Sequence, residues 1–184
     1  MYELDKRKYY AGIGSRETPP DILKKMKTIA SILEKRGWVL RSGGADGADS
    51  AFEEGVKEKK NKQIFLPWPK FNGKSSRHNR TCIWGEDIAE EFHPNWYKLR
   101  DPIKKLMARN TYQVLGPQPG NNPSSFVICW TKDGGPSGGT GQALRIAKAG
   151  KIPIFNLYWP EHEEKLMKRL TKVCKELIDE NLSA

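Results

Sequence analysis

Residues 38–49 read Trp-Val-Leu-Arg-Ser-Gly-Gly-Ala-Asp-Gly-Ala-Asp, and they carry the clearest indication of the fold class. Its first five residues are typical of a β-strand, and the glycines that follow predict a tight turn. Ala51, Phe52 and Val56 then supply the apolar positions of a helix. A strand that passes through a glycine turn directly into a helix is the building unit of parallel α/β proteins.

The same alternation runs along the rest of the chain. A strand at 8–14 leads into a helix that Thr18 is expected to cap and that ends near Gly37. Further strands are predicted at 63–66, 125–130 and 152–156. Other helices are predicted from 101 to 115, from the glycine-rich turn at 134–141 through 149, and from about 161 to 179. The apolar stripe of the last helix is Leu166, Leu170, Val173, Cys174 and Leu177. We therefore expect a single Rossmann-like α/β domain over 1–184, with a mostly parallel sheet and helices on both faces. Segment 67–96 matches no clear pattern and is expected to be an irregular basic and aromatic insertion.

The amino-acid composition indicates which classes of binding partner to expect for this chain. The chain has 32 Lys and Arg against 22 Asp and Glu, a formal charge of +10, which favours nucleotides, nucleic acid or acidic proteins, although a basic surface also simply aids solubility. No apolar run approaches the ~20 residues of a membrane-spanning helix, and no signal-peptide pattern opens the sequence, so we expect a cytoplasmic protein without membrane contact. The three cysteines and three histidines lack metal-ligand spacing, so no metal site is predicted.

Three glycine-bearing turns follow predicted strands. In an open parallel sheet the ligand binds at the carboxyl ends of the strands, where backbone N–H groups and helix N-termini point outward. We therefore expect a phosphate-bearing nucleotide there, and no cofactor is otherwise indicated. The predicted contacts are Gly12, Gly14, Ser15 and Arg16 in the first turn, Ser42, Gly43, Gly44, Asp46 and Asp49 in the second, and Ser137, Gly138, Gly139, Thr140 and Gly141 in the third.

Two observations limit the prediction of a nucleotide-binding site. Asp46 and Asp49 have an alternative role at the start of a helix, where carboxylates complement the helix dipole. The ordered dinucleotide fingerprint G-x-G-x-x-G and the Walker sequence are both absent, so ATP hydrolysis and ordinary NAD-dependent hydride transfer are not expected.

The second turn, Ser42-Gly-Gly-Ala-Asp-Gly-Ala-Asp-Ser-Ala51, together with the first Gly-Ile-Gly-Ser-Arg turn, resembles the signature of the SLOG superfamily. That superfamily joins the DNA-processing protein A (DprA, or Smf) group to the Lonely Guy (LOG) group, and similar short phage and bacterial proteins are often labelled DprA-like. The resemblance covers most of the chain from Lys8 to Asn156. It implies a Rossmann-like fold, commonly dimeric, that binds nucleotides, NAD-derived signalling molecules or single-stranded DNA.

The resemblance to LOG enzymes breaks down at one position. Those enzymes cleave nucleoside monophosphates with a glutamate in the motif PGGxGTxxE, and here Gln142 stands at the threonine position and Arg145 at the glutamate position. The upstream Arg-Lys pair of LOG enzymes is similar to Arg109-Asn110, which makes these two residues candidate ligand contacts. A charge on the surface of a helix is the alternative interpretation of Arg109.

Three functional hypotheses follow. The first is a protein that binds a nucleotide or a nucleotide-derived signal without turning it over, as a sensor or as a phage-encoded sequestering protein in the host cytoplasm. The second is a DprA-like protein that binds single-stranded DNA in recombination or DNA protection, with contacts from the basic, aromatic segment. The third is a LOG-like nucleotide N-glycosidic hydrolase that uses a displaced carboxylate, so whether the chain is an enzyme stays open and binding alone is favoured. The candidate DNA contacts are Trp68, Lys70, Lys74, Arg77 and Arg80, and the candidate catalytic carboxylates are Asp46, Asp49 and Glu17.

Overall fold

The computed structural model describes residues 7–118, 120 and 122–182, with side chains up to residue 171. Five strands and six α-helices alternate along this part of the chain. They are β1 (Lys8–Gly12), α1 (Pro20–Lys35), β2 (Trp38–Ser42), α2 (Ala48–Gly55), β3 (Lys62–Ile64), α3 (Ile83–Glu91), α4 (Asp101–Leu115), β4 (Val127–Cys129), α5 (Gly138–Ala149), β5 (Ile154–Asn156) and α6 (Pro160–Leu182).

The five strands form one parallel sheet in the order β3-β2-β1-β4-β5. Tyr10 of β1 lies opposite Leu40 of β2, and Gly12 lies opposite Ile128 of β4. The strand order runs outward from β1 in both directions, so the chain changes direction across the sheet between β1 and β4. A crevice opens at such a reversal point, beyond the carboxyl ends of the two strands.

Helices cover both faces of the sheet. One core is formed where α1, α2 and α6 pack on strand residues such as Tyr10, Leu40 and Ile128. The opposite core is formed where α4 and α5 pack on Ala11 and Val127, with α3 at its margin. Neighbouring side chains of β1 and of β4 thus enter opposite cores, and the predicted Rossmann-like α/β fold is confirmed.

Several local details differ from the sequence-based expectation. Segment 67–96 was expected to be irregular, but it contains α3, which packs against α4. The weak helical pattern of α3 arises because only Gly85 and Ala89 of this helix are buried, and neither is a strongly apolar marker. Thr18 does not cap α1: its hydroxyl donates to the Ser15 carbonyl oxygen at 2.7 Å, and Pro19 occupies the position before the helix.

The C-terminal helix docks through its first half. Leu166 and Leu170 are buried in the core beneath α6, as the apolar spacing predicts. The rest of that predicted stripe, including Cys174, lies outside the residues whose side chains are described. Among the helices described, none is long and apolar enough to cross a membrane.

Candidate nucleotide-binding cleft

A cleft of about 540 Å³ opens at the carboxyl ends of β1 and β4, at the point where the strand order reverses. Three parts of the chain form its walls: the first turn after β1, the inner face of α4, and the third turn with the start of α5. The predicted contacts that line it are Gly14, Ser15, Arg16, Asp49, Arg109, Asn110, Ser137, Gly138, Gly139 and Thr140. Gly12, Ser42, Gly43, Gly44, Asp46 and Gly141 are not part of the lining.

The first turn is tied to its neighbours by backbone hydrogen bonds. The Ser15 N–H donates to the Trp130 carbonyl oxygen at 3.1 Å, and the Ser15 carbonyl oxygen accepts from the Ala48 N–H at 3.3 Å. Gly47 packs so closely on Arg16 that an added Cβ would lie 2.7 Å from the Arg16 Cα atom. The backbone of the turn is therefore fixed, while the Arg16 side chain remains exposed at the mouth of the cleft.

The second turn donates its own amides to protein carboxylates. The Gly44 N–H donates to Glu53 Oε1 at 3.0 Å, and the Ala45 N–H donates to Asp49 Oδ2 at 3.3 Å. Ser42 and Gly43 are buried below the cleft. Asp46 is exposed and accepts a hydrogen bond from Asn72 Nδ2 at 2.9 Å. The second turn thus reaches the cleft only through Ala45 and Asp49.

A buried ion pair forms the floor of the cleft. Arg109 Nη1 of α4 lies 2.9 Å from Asp49 Oδ2 of α2, and the two side chains are 9% and 4% exposed. Gly43 makes this approach possible, because a Cβ at this position would overlap the Arg109 guanidinium. Arg109 Nε is buried and has no hydrogen-bond partner in the described structure.

Burial dominates the electrostatics of this pair. Desolvation raises the pKa of Asp49 to about 6, and the nearby positive charge of Arg109 opposes that rise. Desolvation likewise lowers the pKa of Arg109, against the attraction of Asp49. Asp49 lies in the first turn of α2, where a carboxylate complements the helix dipole, but it does not cap the helix, because the N-cap residue is Gly47. The Asp49 carboxylate instead orients Arg109 and the Ala45 amide.

Carboxamide side chains on α4 and α5 complete the inner wall. Asn110 Nδ2 donates to the Gly139 carbonyl oxygen at 3.0 Å and to Gln142 Oε1 at 3.1 Å, which fixes the start of α5 against α4. Gln113 is buried and lines the cleft one turn along from Arg109, and its Nε2 has no hydrogen-bond partner in the described structure. Two donors, Arg109 Nε and Gln113 Nε2, are therefore left unsatisfied on the same face of α4.

The third turn is organised by an acidic residue outside the cleft. Asp133 Oδ1 accepts from the Gly135 N–H at 3.0 Å and from the Ser137 hydroxyl at 2.8 Å. The Gly141 N–H donates to the Ser137 carbonyl oxygen at 2.9 Å, which starts α5. The first turn of α5 then lines the cleft, where its N–H groups and dipole favour an anion.

Arg145, at the position of the LOG glutamate, does not line the cleft. Its Nε donates to the Phe92 carbonyl oxygen at 2.7 Å, and its Nη1 donates to the Pro136 carbonyl oxygen at 3.1 Å. This arginine ties α5 to the end of α3 and to the third turn. It has a structural role where LOG enzymes carry their carboxylate.

The basic, aromatic segment does not line the cleft and is partly committed to packing. Lys74 Nζ forms an ion pair with Glu53 at 2.7 Å, and Trp68 packs edge-to-face on Phe71. The other three predicted DNA contacts are exposed, namely Lys70, Arg77 and Arg80. None of the five predicted contacts lines the cleft.

Three polar residues of the lining were not predicted from the sequence, namely Gln113, Thr131 and Lys132. Thr131 and Lys132 lie two and three residues beyond the end of β4, so they could have been predicted from the rule that ligands bind at the carboxyl ends of strands. Gln113 gave no such signal, because it lies in the middle of a helix. In the described part of the chain, no group of three or more His, Cys, Asp or Glu side chains is placed to hold a metal ion.

Comparison with known proteins gives a structural neighbour. No family model matches the sequence, and no curated protein matches it. A solved structure of DNA processing protein A (DprA) from Helicobacter pylori, described for its unique single-stranded DNA binding mode, matches with a TM-score of 0.56. The two chains share a fold.

The match to DprA extends over nearly the whole molecule. It covers 96% of this chain and 82% of the Helicobacter pylori chain, at 19% sequence identity. The expectation of a DprA-like Rossmann fold is thereby confirmed. Membership of the wider SLOG superfamily stays a prediction from the turn motifs.

Proposed function

We propose that the cleft binds a nucleotide through its phosphate. The observation that carries this proposal is that Arg109 and Gln113 line the cleft, while Arg109 Nε and Gln113 Nε2 are buried and have no hydrogen-bond partner in the described structure. An unsatisfied buried donor costs about 1–3 kcal/mol, so a site with two of them favours a ligand that brings acceptors. A phosphate offers several acceptor oxygens within a small volume.

The surroundings of these donors match a phosphate. The start of α5 faces the same space and contributes backbone N–H groups, and Arg16 supplies an exposed cation at the entrance. A volume of about 540 Å³ lies in the range typical of small-ligand pockets. It leaves room for a nucleoside attached to the phosphate.

The positions of the three candidate carboxylates support binding of a nucleotide without its hydrolysis. Asp49 is engaged by Arg109, Asp46 lies outside the cleft, and Glu17 is an exposed residue at the rim. Cleavage of a glycosidic bond needs carboxyl groups free to act as acid and as base or nucleophile. We therefore favour a nucleotide sensor or sequestering protein over a hydrolase. The dimer that the SLOG resemblance implies stays a prediction.

Single-stranded DNA is the second candidate ligand. The structural neighbour is described as binding single-stranded DNA, and the net charge of +10 suits a polyanion. In this case the cleft would hold one phosphate of the strand. The same donors on α4 and α5 would serve both ligands.

The test is binding to the purified protein before and after one substitution. Native mass spectrometry of the protein as isolated should reveal a bound nucleotide, and calorimetry with added nucleoside monophosphates should give a measurable affinity. Arg16→Ala should weaken that affinity about tenfold or more, since it removes a charge-assisted hydrogen bond to phosphate. Lys60→Ala removes a cation just before the amino end of the edge strand β3, whereas the cleft lies at the carboxyl ends of β1 and β4, and should leave the affinity unchanged. A protein that binds neither nucleotides nor single-stranded DNA contradicts the proposal.

A further inference from the structure

We propose that Tyr158 and Trp159 form a second binding site, which stacks an unpaired nucleobase next to the phosphate in the cleft. This inference rests on the proposed function and extends it: the ligand it implies contains at least two linked nucleotide units. The site lies just beyond the carboxyl end of β5, the strand that neighbours β4.

The two aromatic side chains are exposed but fixed in position. Tyr158 and Trp159 are 40% and 41% exposed, and their rings meet edge to face with centroids 4.9 Å apart. Trp159 Nε1 donates to the Gly134 carbonyl oxygen at 3.2 Å, which anchors the indole to the third turn. Gly134 adopts a positive φ of 70°, and a Cβ there would meet the indole at 2.5 Å. The indole ring can therefore occupy this position only because Gly134 has no side chain.

One buried side chain joins this aromatic pair to the edge of the cleft. Asn156 Oδ1 accepts from the Tyr158 N–H at 3.1 Å and from the Thr131 N–H at 3.3 Å. Asn156 Nδ2 also donates to Thr131 Oγ1 at 2.7 Å. Since Thr131 lines the cleft, the aromatic pair and the cleft are held in a fixed relation.

Lys132 supplies one positive charge on the side of the cleft that adjoins the aromatic pair. Lys132 lines the cleft, its side chain is 81% exposed, and it lies two residues before the glycine that contacts Trp159. Its Nζ lies 3.9 Å from Glu17 Oε2, a solvent-exposed pair that contributes little. Lys132 is thus available to a second phosphate as a strand leaves the cleft.

A nucleobase suits this surface better than a protein partner does. The one polar atom of the indole, Nε1, already donates to the Gly134 carbonyl oxygen, so the rest of the Trp159 side chain is aromatic carbon. Base stacking on an aromatic side chain is worth about 1–3 kcal/mol and tolerates any base. The adjoining cation complements a phosphate backbone, whereas a surface for a second copy of this basic chain would meet like charge.

The experiment compares a one-unit ligand with a longer one. Thymidine monophosphate and an oligothymidylate of about four nucleotides, a length within the range of single-strand sites, are titrated into the wild type and into Trp159→Ala. We expect Trp159→Ala to weaken oligothymidylate binding about tenfold and to leave thymidine monophosphate binding unchanged. Trp159→Phe keeps a stacking ring without the N–H donor and should retain most of the affinity. Tyr97→Ala, which removes an exposed aromatic residue that belongs neither to the cleft lining nor to the aromatic pair, is the matched control and should change neither affinity.

Each other outcome overturns the inference. Equal losses for both ligands mean that the indole only supports the third turn, and no loss means that the base does not stack there. A change of oligomeric state in Trp159→Ala, measured by light scattering, makes the aromatic pair an interface between copies of the chain. If the wild type binds thymidine monophosphate but gains nothing from the longer strand, the second site fails while the proposed function stands. If the wild type binds neither ligand, both fail.

Discussion

Arg109 Nη1 of α4 and Asp49 Oδ2 of α2 lie 2.9 Å apart beneath the cleft, and neither side chain has appreciable access to solvent. The pair joins helices from opposite faces of the sheet across the end of β2. Its position couples the stability of the fold to the geometry of the site.

Removing one partner of this pair should destabilise the protein strongly. Asp49→Ala leaves the Arg109 charge buried without compensation, and the loss of a single partner from a buried pair typically costs about 3–5 kcal/mol. Urea denaturation measures the free energy of unfolding. The double variant Asp49→Ala with Arg109→Ala should be less destabilised than the sum of the two single variants. A loss below about 1 kcal/mol in the single variant, the level of an exposed pair, would contradict this role.

Gly43→Ala should disrupt the same pair by steric overlap. The added Cβ would occupy the place of the Arg109 guanidinium, so either the arginine or the second turn must move. We expect a loss of about 1–3 kcal/mol in the free energy of unfolding, and weaker nucleotide binding. Gly135→Ala is the matched control for stability, because its Cβ would meet nothing closer than 3.5 Å. If both variants unfold at the same urea concentration, the close approach at Gly43 is not required.

The titration of Asp49 should appear in the pH dependence of stability. Burial raises the pKa of Asp49 in the folded protein to about 6, from an ordinary value of 3.8. Between these values the folded protein holds the proton more tightly than the unfolded chain, so this group's contribution to stability falls as pH rises through the window. The slope is at most about 1.4 kcal/mol per pH unit.

The measurement for this titration is the free energy of unfolding of wild type and Asp49→Asn from about pH 4 to about pH 7, a range that spans the two pKa values. Asparagine cannot titrate, so the difference between the two proteins should change over this range and level off above it. Direct detection comes from the carboxyl carbon resonance of Asp49. A midpoint near the ordinary aspartate value would show that the attraction of Arg109 fully offsets burial.

The basic segment should divide into residues that bind DNA and one that does not. Lys70, Arg77 and Arg80 are exposed, whereas Lys74 is paired with Glu53. If single-stranded DNA passes over this segment, replacing the three exposed cations with glutamine should reduce the slope of log affinity against log salt by about 0.7 for each phosphate that is no longer neutralised. Lys74→Gln should lower stability and leave that slope unchanged. An unchanged slope in the triple variant would remove the segment from the DNA path.

The fold could be predicted from the sequence because the features that indicate each strand, turn and helix lie close together in the chain. Glycine turns after apolar strands, and helices with regular apolar spacing, identify each unit of the α/β pattern. The strands were predicted too long, since residues such as Phe65 and Leu66 are apolar and buried without belonging to β3. Helix α3 was missed because it buries small residues, which leave little trace in a hydrophobic pattern.

The site was less accessible because its decisive contacts join distant residues. The second turn was expected to offer its amides to a ligand, yet Glu53 and Asp49 accept the Gly44 and Ala45 N–H groups. No rule of spacing reveals that Asp49 would meet Arg109, 60 residues further along. Turn chemistry can be read from neighbouring residues, whereas a tertiary ion pair depends on the packing of whole helices.

The second turn, whose Gly44 and Ala45 N–H groups are already hydrogen-bonded to protein carboxylates, also bears on protein engineering. A stretch rich in glycine, serine and aspartate looks like a portable module for capturing phosphate, to be grafted behind any strand. In this molecule, carboxylates from the following helix already fill the place where phosphate oxygens would sit. A graft of residues 42–53 into another scaffold should therefore transfer a rigid corner rather than an anion receptor. To bind an anion, the graft would also have to include α4 and the start of α5.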